Sequence, residues 1–329
     1  MSFYAARVLF QPKILSGLST LVDEHCQSGS ALLVPEARHN VGHKFLDAQM
    51  CTLISFMREA LDRGNAFFMP ELFSALGPAV ILPTIEIRRA GYRSSVTLVC
   101  MLVLGVLYQN YSGAIVLPLW WLLHFSFSGH QLVPLHPHYA EATFVGYLLG
   151  YLAISVSMTV YQTDALIGLW QLFPACVVLA QVLYLGYLRS RVDDVPECPY
   201  EVLQLIHVTN FCWSAITHAY TLFQAFRSPT PLDSLKHSFY PHFSPVSLAP
   251  APSFSQQFLK WDILFIVGST LFAGIMLLRG ARAKLLAVGW FCLGSLCFGM
   301  GAGLSGVWMW REKTLEEDRR ARVAQLKED

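Results

Sequence analysis

The chain has 329 residues, 54% of them hydrophobic and only 14% charged, whereas an ordinary soluble domain is about 25% charged. With a net charge of +1 and no clustered basic face, it presents no field for nucleic acid or an acidic partner. The eight cysteines form no CxxC pair, and Cys100, Cys176, Cys212, Cys292 and Cys297 fall in apolar runs, so neither a disulfide framework nor a zinc site is expected.

The first residues, MSFYAARVLFQPK, are interrupted by Arg7, Gln11 and Pro12 before an apolar region can form, so no signal peptide is read there. Residues 1–65 are expected to form a cytosolic or interfacial lead-in. It ends in an amphipathic helix over 47–63, kept at the surface by Arg58, Glu59 and Asp62. Eight candidate spans follow, at about 66–86, 94–109, 113–128, 139–161, 164–188, 201–226, 258–278 and 285–308. The second and third are short and divided by QNYSG, so one bent helix or a re-entrant hairpin is an alternative to two crossings. The expected fold is therefore all-α, a polytopic integral membrane bundle of about seven or eight transmembrane helices over 66–310 with a charged tail at 311–329. The loop 227–257, rich in Pro, Ser and His, is expected to cover one membrane face.

Lys and Arg in short loops set the orientation. One side receives Arg88, Arg89, Arg93, Arg189, Arg191, Arg279, Arg282 and Lys284, while the other holds little beyond Arg227 and Lys236, so the first is read as cytosolic. The tail disagrees: with eight spans, its six Lys/Arg and six Asp/Glu fall on the far side.

Ionisable groups within spans usually face a cavity or the bundle interior. In ELFSALGPAVILPTIEIRR, Glu71 and Glu86 enclose an apolar stretch broken by Pro78 and Pro83. Glu86 reads either as an interfacial carboxylate paired with arginine or as a proton donor freed by those kinks, and the second role requires Arg88 to point away. Asp262 lies four residues into its apolar run, whereas Glu141 and Asp164 open theirs and suit helix N-termini. His207, Asn210, Ser214, His218 and Thr221 share one helical face, as a cavity wall or as glue between helices. By depth, Glu86, Glu141, His207 and Asn210 belong to the cytosolic half, and Glu71, Asp164, His218 and Asp262 to the other. Aromatic residues make up 13% of the chain, and faces turned into a cavity would suit a cationic intermediate. RVDDVPE carries Asp193, Asp194 and Glu197 in a DDxxE pattern able to grip a Mg²⁺–diphosphate, but no second acidic motif accompanies it.

Four stretches, LGPAVILPTIEIRR, YQNYSGAIVLPLWWLL, AEATFVGYLLGYL and LWQLFPACVVLAQVL, resemble the fungal membrane-bound terpene cyclases of meroterpenoid pathways, of the ascofuranone and macrophorin type. The resemblance covers roughly 70–190. It implies a cofactor-free, metal-independent enzyme in which a carboxylic acid protonates a terminal epoxide or alkene on a farnesyl-type chain and ring closure follows. Glu86 is then the favoured donor, with Asp262 and Glu71 in reserve and Glu141 at a shared depth with Glu86. His207, Asn210 and His218 would shape a polar wall or accept the final proton, and Trp120, Trp213, Tyr151 and Gln109 would line the substrate. The implied partners are a prenylated hydrophobic substrate, the bilayer of the endoplasmic reticulum and other membrane enzymes of one pathway. Two rival readings stand beside it, a Mg²⁺-dependent prenyltransferase or diphosphate-ionising cyclase and a non-enzymatic transporter or receptor-like protein.

Overall fold

The computed structural model describes residue 26 and residues 44–61, 68–91, 94–127, 135–188, 199–241 and 254–328, and among them every regular element is helical. The order is α1 (Lys44–Leu61), α2 (Phe68–Arg89), α3 (Ser94–Tyr111), α4 (Gly113–Phe127), α5 (Pro137–Tyr161), α6 (Asp164–Gln171), α7 (Phe173–Leu188), α8 (Pro199–Arg227), α9 (Pro231–Phe239), α10 (Phe254–Leu277), α11 (Ala281–Phe298) and α12 (Met300–Glu328). The DDxxE residues Asp193, Asp194 and Glu197, and most of the N-terminal lead-in, lie outside the described residues.

α2 is the hub. It is buried along nearly its whole length, with α8, α12, α10, α5 and α3 packed around it. Pro78 and Pro83 each remove a backbone donor from this helix, a loss tolerated where neighbouring helices enclose the freed carbonyls. Gly77, just before the first proline, lets α8 approach closely: a Cβ there would stand 2.0 Å from Asn210 Oδ1. The outer helices turn apolar side chains outward instead, as α3 does with Val99, Val103 and Val106 and α11 with Leu285, Leu293 and Leu296. Apolar exposure on that scale suits a lipid surround.

Among the described residues, four helices are long and apolar enough to cross a membrane, namely α2, α5, nearly all of α10, and α11; a fifth results if α6 and α7, bent by 69° at Leu172, form one span. This is fewer than the seven or eight expected. α3 and α4 are apolar but short, and α8 and α12 are long but too polar to qualify. The QNYSG break resolves as a hairpin, because Ser112 takes a left-handed backbone (φ 74°) and α4 then runs back to bring His124 within 4.0 Å of Glu86. α5 contains a π-helical turn over Leu148–Leu152, which carries Tyr151 so that its hydroxyl donates to the Phe73 carbonyl at 2.7 Å.

The expected eighth span, 285–308, is two helices. Gly299 adopts φ +90°, open to glycine and strained for other residues, and α12 folds back antiparallel on α11. Small residues permit the contact: Gly294 meets Gly303, and a Cβ on Gly306 would lie 2.0 Å from Trp290 Nε1. The fold-back returns the charged tail to the end of the bundle that holds Arg88 and Arg89, where Arg279 bonds Asp318 at 3.1 Å. The conflict between tail and loop charges therefore disappears. Farther along the tail, hydrogen bonds from Arg319 and Arg320 hold the Glu316 carboxyl down at about 2.

Cys26 and Cys51 form a disulfide (Cα–Cα 5.9 Å), against the expectation of none. No spacing pattern links cysteines separated by 25 residues, so the sequence could not announce it. Cys51 lies on α1, which Arg58–Asp164 and Ser255–Glu59 contacts tie to the ends of α6 and α10 remote from Arg89. Disulfides persist in oxidising compartments, so bond and loop charges agree on which end faces away from the cytosol.

Two expectations follow. Gly306→Leu should destabilise the protein in detergent by about 1–3 kcal/mol through overpacking against Trp290, while Gly186→Ala, with nothing within 4 Å of the added carbon, should leave the melting temperature unchanged or raised. In microsomes, a glycosylation acceptor appended after Asp329 should stay unmodified and one inserted at 228–230 should be modified; modification of both would contradict the hairpin at Gly299, and the reverse pattern would contradict the orientation read from the loop charges.

Candidate functional site

The two glutamates of α2 hold α12 in place. At the Arg89 end of α2, Glu86 accepts from Arg311 with both oxygens at 2.8 Å and from Arg89 at 3.0 Å. Arg89 also donates to both oxygens of Glu312, and Arg311 reaches that residue at 3.3 Å. Two carboxylates and two guanidinium groups cancel in charge inside a fully buried box. Arg88 does point away from Glu86, but into the protein: it donates to Gln181 at 2.8 Å and lies 4.4 Å from the Tyr139 ring centre. With three N–H groups on its oxygens, Glu86 is a brace poorly placed to hand over a proton.

Glu71 mirrors it at the other end. His218 Nδ1 lies 3.2 Å from Glu71 Oε2, the amide of Met300 donates to Oε1 at 3.4 Å, and His218 Nε2 bonds the Leu296 carbonyl at 3.1 Å. These contacts enclose the Gly299 turn, where a Cβ would stand 2.6 Å from Glu71 Oε1. Between the two ends runs the polar face of α8. Asn210 accepts from Tyr147 at 2.7 Å and donates to Ser305 at 2.9 Å, and Ser214 donates to the Phe298 carbonyl at 3.2 Å. His207 is buried in the same seam. Among the described residues these contacts are those of interhelical glue, the plainer of the two readings of the stripe, and none of its residues lines the cavity described next.

A cavity of about 370 Å³ opens elsewhere, between α1, α2, α3, α4, α6 and α10. This falls within the range of small-molecule sites. Phe56, Tyr108, Tyr111, Trp170, Phe173 and Phe258 contribute aromatic faces, and among the described residues no lysine, arginine or histidine lines it. α2 presents Leu76, Ala79 and Val80, the segment around Pro78, and a smaller recess continues along Pro83 and Thr84. The proline-bearing segment of α2 therefore borders the cavity, but the glutamates flanking it do not line it.

Asp262 does. Ser112 donates to its Oδ1, as does the amide of Ala114 at 2.8 Å, so the carboxyl group caps the first turn of α4. Its Oδ2 has no hydrogen-bond donor among the described residues. Gln109, another residue singled out from the sequence, lines the same cavity. The remaining candidates lie apart from it. Glu141 accepts from Tyr184 at 3.2 Å near the cytosolic end, Trp120 stacks on His124 with ring centres 5.0 Å apart, and Trp213 packs 6.0 Å from Tyr151, itself buried against α2. Asp164 is taken up by Arg58. Sequence reasoning missed α1 as a wall of the cavity, and with it Phe56; it also missed Gln171 and Phe258. The polar break QNYSG beside the intramembrane acid Asp262 was the available signal.

Residues 301–306, GAGLSG, have the spacing of a dinucleotide fingerprint, which requires a strand before it and a helix after. Here the motif lies wholly inside α12, and its glycines are spent on contact: Gly301 meets the Ser74 carbonyl, Gly303 meets Ser295 and Gly306 meets Trp290. It does not fit a nucleotide phosphate.

Glu86→Gln should leave Arg311 and Arg89 short of countercharge in a buried site and cost about 3–5 kcal/mol of stability. Glu86→Gln combined with Arg311→Met should recover part of that loss, measured as detergent melting temperatures; equal stability of wild type and the single variant would refute the bracing role.

No solved structure matches the chain. A curated relative, the FAD-dependent monooxygenase verC1 of Penicillium polonicum, is 24% identical over 256 residues, which is 71% of this chain and 31% of the relative. The chain thus spans less than a third of that fungal enzyme's length. The CtvD domain family matches residues 1–315, nearly the full length, and the chain belongs to that family.

Proposed function

We propose that the chain is a membrane-bound cyclase that opens a terminal epoxide on a hydrophobic, farnesyl-type chain by proton donation from Asp262. The observation that carries this reading is the setting of Asp262: one oxygen fixed by two donors, the other unclaimed among the described residues, in an aromatic cavity whose described lining holds no cation. The name of the fungal relative supports an epoxide over an alkene, because monooxygenation is the class of reaction that installs one.

The carboxyl proton of Asp262 passes to the epoxide oxygen, and a carbon–oxygen bond of the three-membered ring breaks as the neighbouring alkene attacks that carbon. The oxygen becomes a hydroxyl. Positive charge moves to the far alkene carbon and onward with each ring closure, attracted by the negative faces of Trp170, Phe173, Tyr108 and Phe258. Loss of a proton from the last carbon ends the sequence, so product and substrate are isomers. In this scheme Glu86 and Glu71 hold the bundle together and take no part in the proton transfer. The product is that of a secondary-metabolite pathway of meroterpenoid type, formed in the membrane of the endoplasmic reticulum.

Asp262→Asn keeps an acceptor for Ser112 and Ala114 but removes the acid, and should lower turnover by about 10²–10⁴-fold while preserving the melting temperature. The assay uses microsomes with EDTA and a farnesylated aromatic terminal epoxide, with products separated and weighed by mass spectrometry. An isomer of unchanged mass is expected; a product heavier by one water would indicate a hydrolase, and activity only on a diphosphate with Mg²⁺ would overturn the proposal.

A further inference from the structure

The cavity carries four side-chain amides, and they are not equivalent. Gln49 and Asn110 satisfy each other at the rim, with Gln49 donating to Asn110 Oδ1 at 3.1 Å and Asn110 donating to the Val106 carbonyl at 2.8 Å. Gln109 and Gln171 differ: the amide nitrogen of each is buried and has no acceptor among the described residues. Gln171 is only 6% exposed and is the last residue of α6, where the chain bends by 69° into α7. Gln109 stands in the final turn of α3, just before the Ser112 hairpin. Both amides therefore sit at broken helix ends on a cavity wall. Orphan buried donors are costly, and two in one apolar cavity call for an acceptor that enters with a ligand.

We infer that Gln109 and Gln171 form an anchoring site for the oxygenated head of the substrate. The ligand class is an aromatic or otherwise unsaturated ring bearing carbonyl or phenolic oxygens, attached to a long apolar tail. The amide N–H groups of Gln109 and Gln171 bond its oxygens, and the aromatic wall takes the tail. The inference deepens the proposed cyclase reading and rests on its placement of substrate in this cavity. It adds the recognition of the head group, which that reading leaves open. Specificity arises because a ligand lacking the oxygens would leave both buried donors without the acceptor the oxygenated head supplies.

Binding separates this inference from the chemistry. Purified protein in nanodiscs is titrated with a farnesylated acyl phenol lacking any epoxide, and with the matching farnesylated benzene lacking oxygen, while the fluorescence of Trp170 beside Gln171 is followed. Wild type should prefer the oxygenated ligand, and Gln171→Met and Gln109→Met should each weaken its binding by about tenfold. Their affinity for the deoxygenated ligand should be unchanged, which a merely structural role would not produce. Equal affinity of wild type for the two ligands would overturn the inference, as would loss of both ligands in the glutamine variants. Because neither ligand can react, failure of the cyclase assay with this binding pattern intact would reject the proposed chemistry and leave the head-group site standing.

Discussion

The buried box of Glu86, Arg89, Arg311 and Glu312 is the interaction on which the rest of the arrangement depends. It ties the last helix to the central one across more than two hundred residues of chain, in surroundings where an unpaired member of the set would be severely penalised. Glu71 completes the attachment at the opposite end through His218 and the Met300 amide. Between these two fixed points, α8 contributes a row of satisfied hydrogen bonds. The seam of α2, α8 and α12 is thus polar, closed and rigid, which frees the other side of α2 to be kinked and cavity-lining.

That division of labour explains why an apolar helix with an acid at each end can also carry two prolines. The acids bind α12, whereas the segment between Pro78 and Pro83 faces the aromatic cavity. The proposed acid, Asp262, comes from a different helix and is fixed by the turn between α3 and α4. The same turn that makes the hairpin supplies the two donors that orient the carboxyl group. Site and fold therefore share one structural device at Ser112 and another at Gly299.

Much of the architecture was legible from residue type and spacing. The apolar runs, the amphipathic character of α1, the polar stripe of α8 and the sorting of acids by depth all follow from periodicity and position. What hid from the sequence was pairing. Nothing local shows that Arg311, in a tail read only as charged, would fold back to Glu86, because a single glycine torsion at position 299 decides it. The same error made the tail charges seem anomalous and left Glu86 looking free to act. The span count was overestimated for a related reason: α8 and α12 each turn a polar face to buried partners, and the polar residues of that face keep their composition short of what a span requires. Asp262 and Gln109 were found because an intramembrane acid and a polar break are visible without partners, whereas Gln171 became noticeable only once its amide was seen to lack one.

The central claim is that the glutamates brace and Asp262 reacts. It is tested most directly by incubating the membrane-embedded protein with a saturated long-chain terminal epoxide that has no alkene to intercept the opened carbon. After the acid gives its proton to the epoxide oxygen, the resulting carboxylate is the nearest nucleophile and closes an ester bond to the carbon as the carbon–oxygen bond breaks. Mapping the adduct by peptide mass spectrometry should place it on Asp262, with Glu71 and Glu86 unmodified. An adduct on either glutamate, with Asp262 spared, would contradict the account.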